Sequence, residues 1–166
     1  QQIDWSLLLK EGLRINVSAL ERQEWKGNHS TYTDMSRWEQ MILACRDFAD
    51  DGTKAWGAFV DGQLAAYVIS VQVDNWVYLT NFMSHSDFLQ ARPNNALIYT
   101  ILASELASDK VDAVTLGLSA EKESLNKFKQ RMGFVEEHQA LHRWVNPIFM
   151  PIVQLSKYRH YWRHGA

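Results

Sequence analysis

The stretch WGAFVDGQLAAY, residues Trp56–Tyr67, decides the fold class of this chain. Two apolar runs flank the dipeptide Asp61-Gly62, and an Asp-Gly pair in that setting is a strong signal for a tight β-hairpin. A second turn signal, Asp74-Asn75, separates this hairpin from one more apolar run. The sequence therefore predicts three consecutive antiparallel strands, at Ala55–Val60, Gln63–Val73 and Trp76–Ser84.

Both faces of these strands are apolar, as the neighbours Val68 and Ile69 illustrate. A sheet that is apolar on both faces needs cover on both sides. A helix is predicted before the hairpin, because apolar residues from Met35 to Ala49 recur at three-and-four spacing. Thr33 or Asp34 can cap the start of this helix.

The second half of the chain alternates helix and strand. We place a helix at Asn94–Ser108, a strand at Val111–Leu118, a helix at Glu121–Met132 and a strand at Val135–Val145. Asn94 or Asn95 caps the first helix after a loop at Ser84–Pro93, and Gly133 suits the left-handed stop of the second. A strand–helix–strand step between neighbouring strands is a parallel crossover. The predicted class is α/β (α+β), with a mixed, mostly antiparallel sheet flanked by helices on both faces.

The two ends of the chain are harder to interpret. Within the poorly defined segment 1–33, we expect a short helix through Leu9 capped by Asp4, a strand at Arg14–Val17 and a loop at Glu21–Thr33. The segment 148–166 is basic and aromatic. It is either a terminal helix with its aromatic residues packed inward, or a surface for RNA phosphates, anionic lipids or a nucleotide-linked substrate. No linker or repeat divides the chain, so we expect one domain over 1–166.

Composition excludes several classes of protein. The net charge of -2 argues against a dedicated nucleic-acid binder, so no DNA partner is expected. No apolar run reaches the roughly 20 residues of a transmembrane segment, which predicts a soluble protein. Cys45 is the only cysteine. Because it cannot form an internal disulfide, a reducing, cytoplasmic location is the simpler expectation.

The order of elements over residues 34 to 146 resembles the GNAT superfamily of N-acetyltransferases. The stretch LNKFKQRMGF, Leu125–Phe134, resembles the end of the last family helix, where the chain turns into the final strand, and Trp56–Tyr67 resembles the central hairpin. The pair Phe128-Lys129 is similar to that of the Fem-like branch, whose members often transfer aminoacyl groups from transfer RNA and commonly contain two GNAT-like domains.

The resemblance implies an acyltransferase that moves an acyl or aminoacyl group from acyl-CoA or aminoacyl-tRNA to an amine, with no tightly bound cofactor. The implied partners are a small-molecule or peptide amine, tRNA for a Fem-like enzyme, and a homodimer mate or a second GNAT-like domain. In the last case the chain is one half of a two-domain protein. The alternative from another class is a non-catalytic GNAT-like module that binds a ligand or a partner.

Two positions depart from the family pattern. Acetyl-CoA-binding members carry a Gln/Arg-x-x-Gly-x-Gly/Ala turn, whose backbone N–H groups close on the pyrophosphate at a helix start. The matching stretch here, Gln90–Leu97, has no glycine, and Pro93 lacks an N–H donor. Many members also place a general-acid Tyr where this chain has Lys129.

The resemblance implies a gap between two neighbouring parallel strands, with Lys129 beside it. An ammonium there can stabilise the developing oxyanion or act as an acid, whereas the simpler alternative is a solvated surface lysine. His85 is the candidate base, and Asp87 a candidate relay. The implied donor-binding residues are Asn81, Phe82, Met83, Arg92, Asn94, Asn95, Ser119 and Asn126. Helix capping is the alternative for Asn95 and Ser119. No metal is expected, because His138 and His142 would lie about 13 Å apart on a strand.

Overall fold

A four-stranded sheet in the order β1-β2-β3-β4 lies at the centre of the computed structural model, which describes residues 1–23, 29–49, 52–118 and 123–137. The strands are β1 Thr53–Val60, β2 Gln63–Val73, β3 Trp76–Ser84 and β4 Ala113–Thr115. The first three strands pair antiparallel and β4 pairs parallel to β3, which confirms the predicted meander and crossover. The Asp61-Gly62 turn has positive φ at both residues, 48° and 77°, as a tight hairpin requires.

The described part of the chain also contains five α-helices. They are α1 Trp5–Gln23, α2 Ser30–Thr33, α3 Met35–Asp47, α4 Pro93–Glu105 and α5 Glu123–Arg131. The predicted cap of α3 is confirmed, since the Asp34 side chain accepts a hydrogen bond from the Arg37 N–H. None of the described helices combines the length and apolar character that a bilayer span requires.

The sheet is covered on both faces, as its apolar pattern predicts. On one face, α1 and α3 pack their buried residues, such as Leu8, Ile15 and Trp38, against the side chains of Tyr67 and Ile69. The opposite face is covered by α4, whose apolar side chains form the second cluster with residues of β1, β2 and β3. Two separate apolar layers therefore fix the register of the strands, because a slip by one residue would exchange the faces.

The predicted Asp4 cap of the first helix is confirmed, since the Asp4 side chain accepts a hydrogen bond from the Ser6 N–H at 2.7 Å, but the extent of that helix and the strand predicted after it are wrong. A single helix of 19 residues, α1, replaces the predicted short helix and strand, and α2 lies within the predicted loop. Local propensity explains the error, because Gly12 weakens a helix and the β-branched Ile15 and Val17 favour a strand. Packing decides otherwise: Leu8, Ile15 and Ala19 share one buried face of the helix.

Several predicted boundaries also change. The strand predicted at Val111–Leu118 is only three residues long, Ala113–Thr115. The helix start falls at Pro93 rather than Asn94, with Arg92 at the cap position and no side-chain capping bond, so the predicted Asn94 or Asn95 cap is wrong. The unit Gln1–Phe134 ends before the predicted strand Val135–Val145. Residues 135–137 are not in a strand, and the remainder of that prediction lies outside the described residues.

We expect Gly12→Ala to lower the free energy of unfolding by about 1–3 kcal/mol. A Cβ at this position would overlap the Trp38 ring, whereas Gly-to-Ala on an open helix face stabilises by about 1 kcal/mol. Denaturant unfolding measures the sign directly. In a Trp38→Phe background the cost should shrink, since the overlapping ring atoms are removed. A stabilising Gly12→Ala, or an unchanged cost in the double variant, would contradict this packing.

Candidate functional site

The parallel strands β3 and β4 part soon after they meet. Their ladder pairs Trp76 with Ala113, Val77 with Val114 and Tyr78 with Thr115, and no further pair follows in the described residues. β3 continues to Ser84, six residues beyond the last pair. All of β4 is paired, whereas β3 runs on past the end of β4 and leaves a gap beside its carboxyl half on this edge of the sheet.

A β-bulge interrupts β3 within this half, which pairs with β2 but not with β4. Tyr67 pairs with Met83 but Ile69 pairs with Thr80, so β3 contains one residue more than β2 across the bulge. Asn81 lies in the bulge with φ of 46°, in the left-handed region that non-glycine residues seldom adopt. The Thr80 hydroxyl donates to the Ile69 carbonyl at 2.9 Å, which gives this strand carbonyl a side-chain partner.

The bulge also decides which way the side chains after it point. Leu79 belongs to the apolar cluster under α4, and strict alternation would place Met83 there too. Met83 instead packs in the cluster under α1 and α3, while Phe82 packs toward α4. The Asn81 side chain reaches the α1–α3 side, where its Oδ1 accepts a hydrogen bond from the Tyr32 hydroxyl at 2.8 Å.

Lys129 borders the other side of the gap. Its Nζ donates to the carbonyl oxygens of Leu116 at 2.8 Å and Leu118 at 2.7 Å, directly after β4 ends. Partial burial lowers the pKa of the Lys129 ammonium from its ordinary 10.5. Lys127, two residues earlier, instead pairs with Glu123 on the exposed surface. Lys129 is thus anchored to the backbone, and two of its three N–H donors are engaged.

His85 directly follows β3 at the edge of an open groove of about 780 Å³. The groove is also lined by one face of α1 between Lys10 and Arg22, and by Met35. His85 Nδ1 accepts from the Asp87 backbone N–H at 3.3 Å and lies 3.7 Å from the Asp87 carboxylate. A neutral ring in this arrangement carries its proton on Nε2. A base role therefore requires the other tautomer, in which Nδ1–H donates to the Asp87 carboxylate and Nε2 carries no proton.

The start of α4 offers few backbone donors. Residues Ser86–Ala91 form a 3₁₀ helix, so the predicted loop is partly helical. The Arg92 N–H donates to Leu89 O and the Asn95 N–H to Arg92 O, while Pro93 has none. Asn94 turns inward, and its Nδ2 donates to the Ser84 hydroxyl at 3.3 Å. Arg92 is exposed and has φ of 51°.

The candidate residues thus form three groups, and the first, Arg92, Asn94 and Asn95, lies at the start of α4. Asn81, Phe82, Met83 and His85 lie on or directly after β3, and Asn126 and Lys129 lie on α5 across the gap. Ser119 lies outside the described residues. The sequence analysis did not identify Tyr32 as a site residue. Nothing in the sequence around Thr33 and Asp34 indicates its contact with Asn81, which is 49 residues away. Within the described ranges, no group of three metal-ligating side chains occurs.

Comparison with solved structures identifies this architecture. An acetyltransferase of the GNAT family from Staphylococcus aureus Mu50 matches with a TM-score of 0.62 and 15% identity, over 84% of this chain and 85% of its own. The chain has the GNAT fold. A protein from Clostridium difficile 630, described as a possible acetyltransferase, also matches, with a TM-score of 0.67 and 10% identity. The match covers 88% of this chain and 95% of the other.

A third match is PaiA N-acetyltransferase from Thermoplasma acidophilum, solved in complex with coenzyme A. It has a TM-score of 0.63 and 10% identity, and covers 82% of this chain and 89% of its own. No protein-family model and no curated protein sequence matches the chain. At these identities the likeness establishes the GNAT fold alone, and the chemistry must be argued from the residues of this chain.

We expect Lys129→Met to loosen the segment Leu116–Leu118 and to lower the free energy of unfolding by about 1 kcal/mol, because two carbonyls lose a charged donor. Amide hydrogen exchange would rise at residues 116–118 and the next positions. Lys127→Met is the matched control, since its exposed pair with Glu123 contributes little. Equal exchange in both variants would contradict the anchoring role of Lys129.

Proposed function

We propose that this chain is an N-acyltransferase, which moves an acyl group from an acyl-CoA thioester to the amine of a small molecule. The main support is the gap where β3 and β4 part after Tyr78 and Thr115, with Lys129 anchored at its edge. The likeness of the fold to acetyltransferases, one of them solved with coenzyme A, supports the same reading.

The gap suits an extended donor arm. A strand edge without a neighbour presents N–H and C=O groups, and an extended ligand with amide groups can pair with them as an added strand would. The pantetheine arm of coenzyme A has this form. The bulge at Asn81 interrupts the regular pattern of β3 here. A thioester at the end of such an arm would lie near the carboxyl ends of both strands.

The proposed reaction is direct attack of the amine nitrogen on the thioester carbonyl carbon. The C–N bond forms, the carbonyl oxygen gains negative charge, and the C–S bond then breaks to release the thiolate. The third N–H of Lys129 is the donor left to stabilise the oxyanion or the departing sulfur. Fixed contacts of the other two N–H groups hold the ammonium in place before the substrate arrives. No covalent enzyme intermediate is required, and Cys45 lies half-buried beside the α1–α3 cluster.

The amine must lose a proton during this reaction. His85 lines the groove beside the end of β3, which makes this groove the proposed acceptor site. With Nδ1–H turned to the Asp87 carboxylate, Nε2 can accept the proton of the attacking amine. The groove is lined by the basic side chains of Lys10, Arg14 and Arg22 as well as by the carboxylates of Glu21 and Asp87, so its charge alone selects no cationic amine.

The Fem-like alternative differs from this proposal in its acyl donor, which would be an aminoacyl-tRNA ester instead of an acyl-CoA thioester. The pair Phe128-Lys129 supports an aminoacyl-tRNA donor by its similarity to that branch. An aminoacyl ester has no extended amide-bearing arm, however, so the gap in the sheet favours a pantetheine thioester. The few N–H donors at the start of α4 predict that the nucleotide end of coenzyme A contributes little to binding.

Donor binding and turnover test this proposal. We expect acetyl-CoA and acetyl-pantetheine to raise the melting temperature by similar amounts at equal concentration, and an amine panel to release free thiol from either donor. Lys129→Met should keep the shift in melting temperature but lose at least about tenfold in kcat. Lys127→Met should resemble the wild type.

Other outcomes would overturn the proposal in distinct ways. A shift with an aminoacyl-ester RNA mimic, and none with thioesters, would indicate the Fem-like donor. Binding of a thioester without thiol release across amino sugars, aminoglycosides, polyamines and short peptides would favour a non-catalytic module.

The pH dependence of kcat tests the role of Lys129 separately. Burial lowers the pKa of this ammonium below 10.5, so the charged form is lost at lower pH than for a free lysine. At saturating acceptor, we expect kcat to fall as the pH rises through this lowered pKa. Lys129→Arg should remove that alkaline decline, because a guanidinium stays protonated across the range. An identical alkaline decline in both proteins would exclude Lys129 as its source.

A further inference from the structure

The side chain of Tyr32 connects two parts of the molecule that are far apart in sequence. Tyr32 lies in α2, a helix of four residues between α1 and α3. Its hydroxyl donates to Asn81 Oδ1 at 2.8 Å, and its ring packs on the apolar cluster under α1 and α3. Desolvation raises the pKa of Tyr32, so the phenol remains a neutral donor at ordinary pH.

Both ends of the Asn81 amide are engaged. The Oδ1 accepts from Tyr32, and the Nδ2 lies 4.0 Å from the Met41 sulfur, a weak acceptor on α3. These contacts hold the one bulge residue of β3 that has positive φ, 46°. Asparagine tolerates this region better than most residues, but it favours it far less than glycine does. The conformation therefore depends on contacts from outside the strand.

We propose that Tyr32 is a positioning residue, which holds the bulge of β3 through Asn81 in the form that receives the acyl-donor arm. The expected effect on the reaction rests on the proposed function, but the hydrogen bond between Tyr32 and Asn81, here called the tether, does not. The hydroxyl of Tyr32 acts on the strand from the α1–α3 side, while Lys129 acts on the segment after β4. The two sides of the gap are thus held by separate hydrogen bonds.

The first consequence concerns the bulge alone. Removing the hydroxyl in Tyr32→Phe leaves the ring packing in place and frees the Asn81 side chain. Local opening at Asn81–Met83 should then become about 3- to 10-fold more frequent, the effect of one lost hydrogen bond. Amide hydrogen exchange by NMR on the full chain without donor measures it. Tyr99→Phe, at a largely exposed hydroxyl, is the matched control and should change nothing here.

The second consequence concerns the reaction. Tyr32→Phe should lower kcat/KM for acetyl-CoA by about 3- to 10-fold while leaving the KM of the amine unchanged, since only the donor side is loosened. A general loss of stability would instead lower the active fraction and leave both KM values as they were.

A double-variant cycle isolates the tether. In Asn81→Gly the backbone adopts positive φ without help from a side chain, so Tyr32→Phe should have less than about a twofold effect in that background. An equal effect of Tyr32→Phe with Asn81 and with Gly at this position would overturn the proposal. So would unchanged exchange at Asn81–Met83 in the single variant. If the proposed function is wrong, the wild type releases no thiol. The exchange measurement would still show whether the Tyr32 hydroxyl holds the bulge.

Discussion

The early end of the β3–β4 ladder is the constraint on which the rest of the site depends. β4 has three residues and β3 has nine, so most of β3 has no described strand beside it on that edge. Backbone polar groups without partners are costly where water is excluded. Lys129 meets this need after β4 by donating to Leu116 and Leu118, whereas the Thr80 hydroxyl acts on the other edge of β3, where it donates to Ile69 of β2. The gap therefore has the open edge of β3 on one side and, on the other, the segment after β4 that Lys129 holds.

The cover on both faces of the sheet explains why the bulge is needed for this arrangement. A buried sheet face fixes the register, and one inserted residue exchanges the faces of everything that follows. Val77 and Leu79 pack under α4, and after the bulge Met83 packs under α1 and α3. The same insertion carries the polar side chain of Asn81 to Tyr32. The bulge thus joins the packing of the core to the shape of the proposed donor site.

The sequence predicted those parts of the fold that local chemistry decides. The Asp61-Gly62 turn has positive φ at both residues, and Asp34 caps α3, because these signals need only neighbouring residues. The course of α1 was missed because its helical state depends on burial against the sheet, which outweighs the propensities of Gly12 and Ile15.

The candidate site was predictable to a smaller extent. The residues of β3 and the position of Lys129 follow from the resemblance to the GNAT family, but their roles remain predictions. The carbonyl partners of Lys129 lie 13 and 11 residues earlier and depend on where β4 ends, which no local pattern reveals. Tyr32 contacts Asn81 only because the bulge turns that side chain to its face. Contacts of this kind require the folded register.

Arg92 shows how far the proposed donor site departs from a glycine-rich turn. A non-glycine residue with φ of 51° costs roughly 1–2 kcal/mol, and a following proline restricts the backbone further. In this conformation the N–H of Arg92 donates to Leu89 O, so it does not point to a ligand. What it presents to a ligand is therefore a guanidinium on an exposed side chain rather than a row of peptide N–H groups. A mobile cation in water holds a phosphate less tightly than fixed dipoles at a helix start. We infer that specificity for the donor resides in the gap between the strands, where Asn81 and Lys129 are held by short hydrogen bonds.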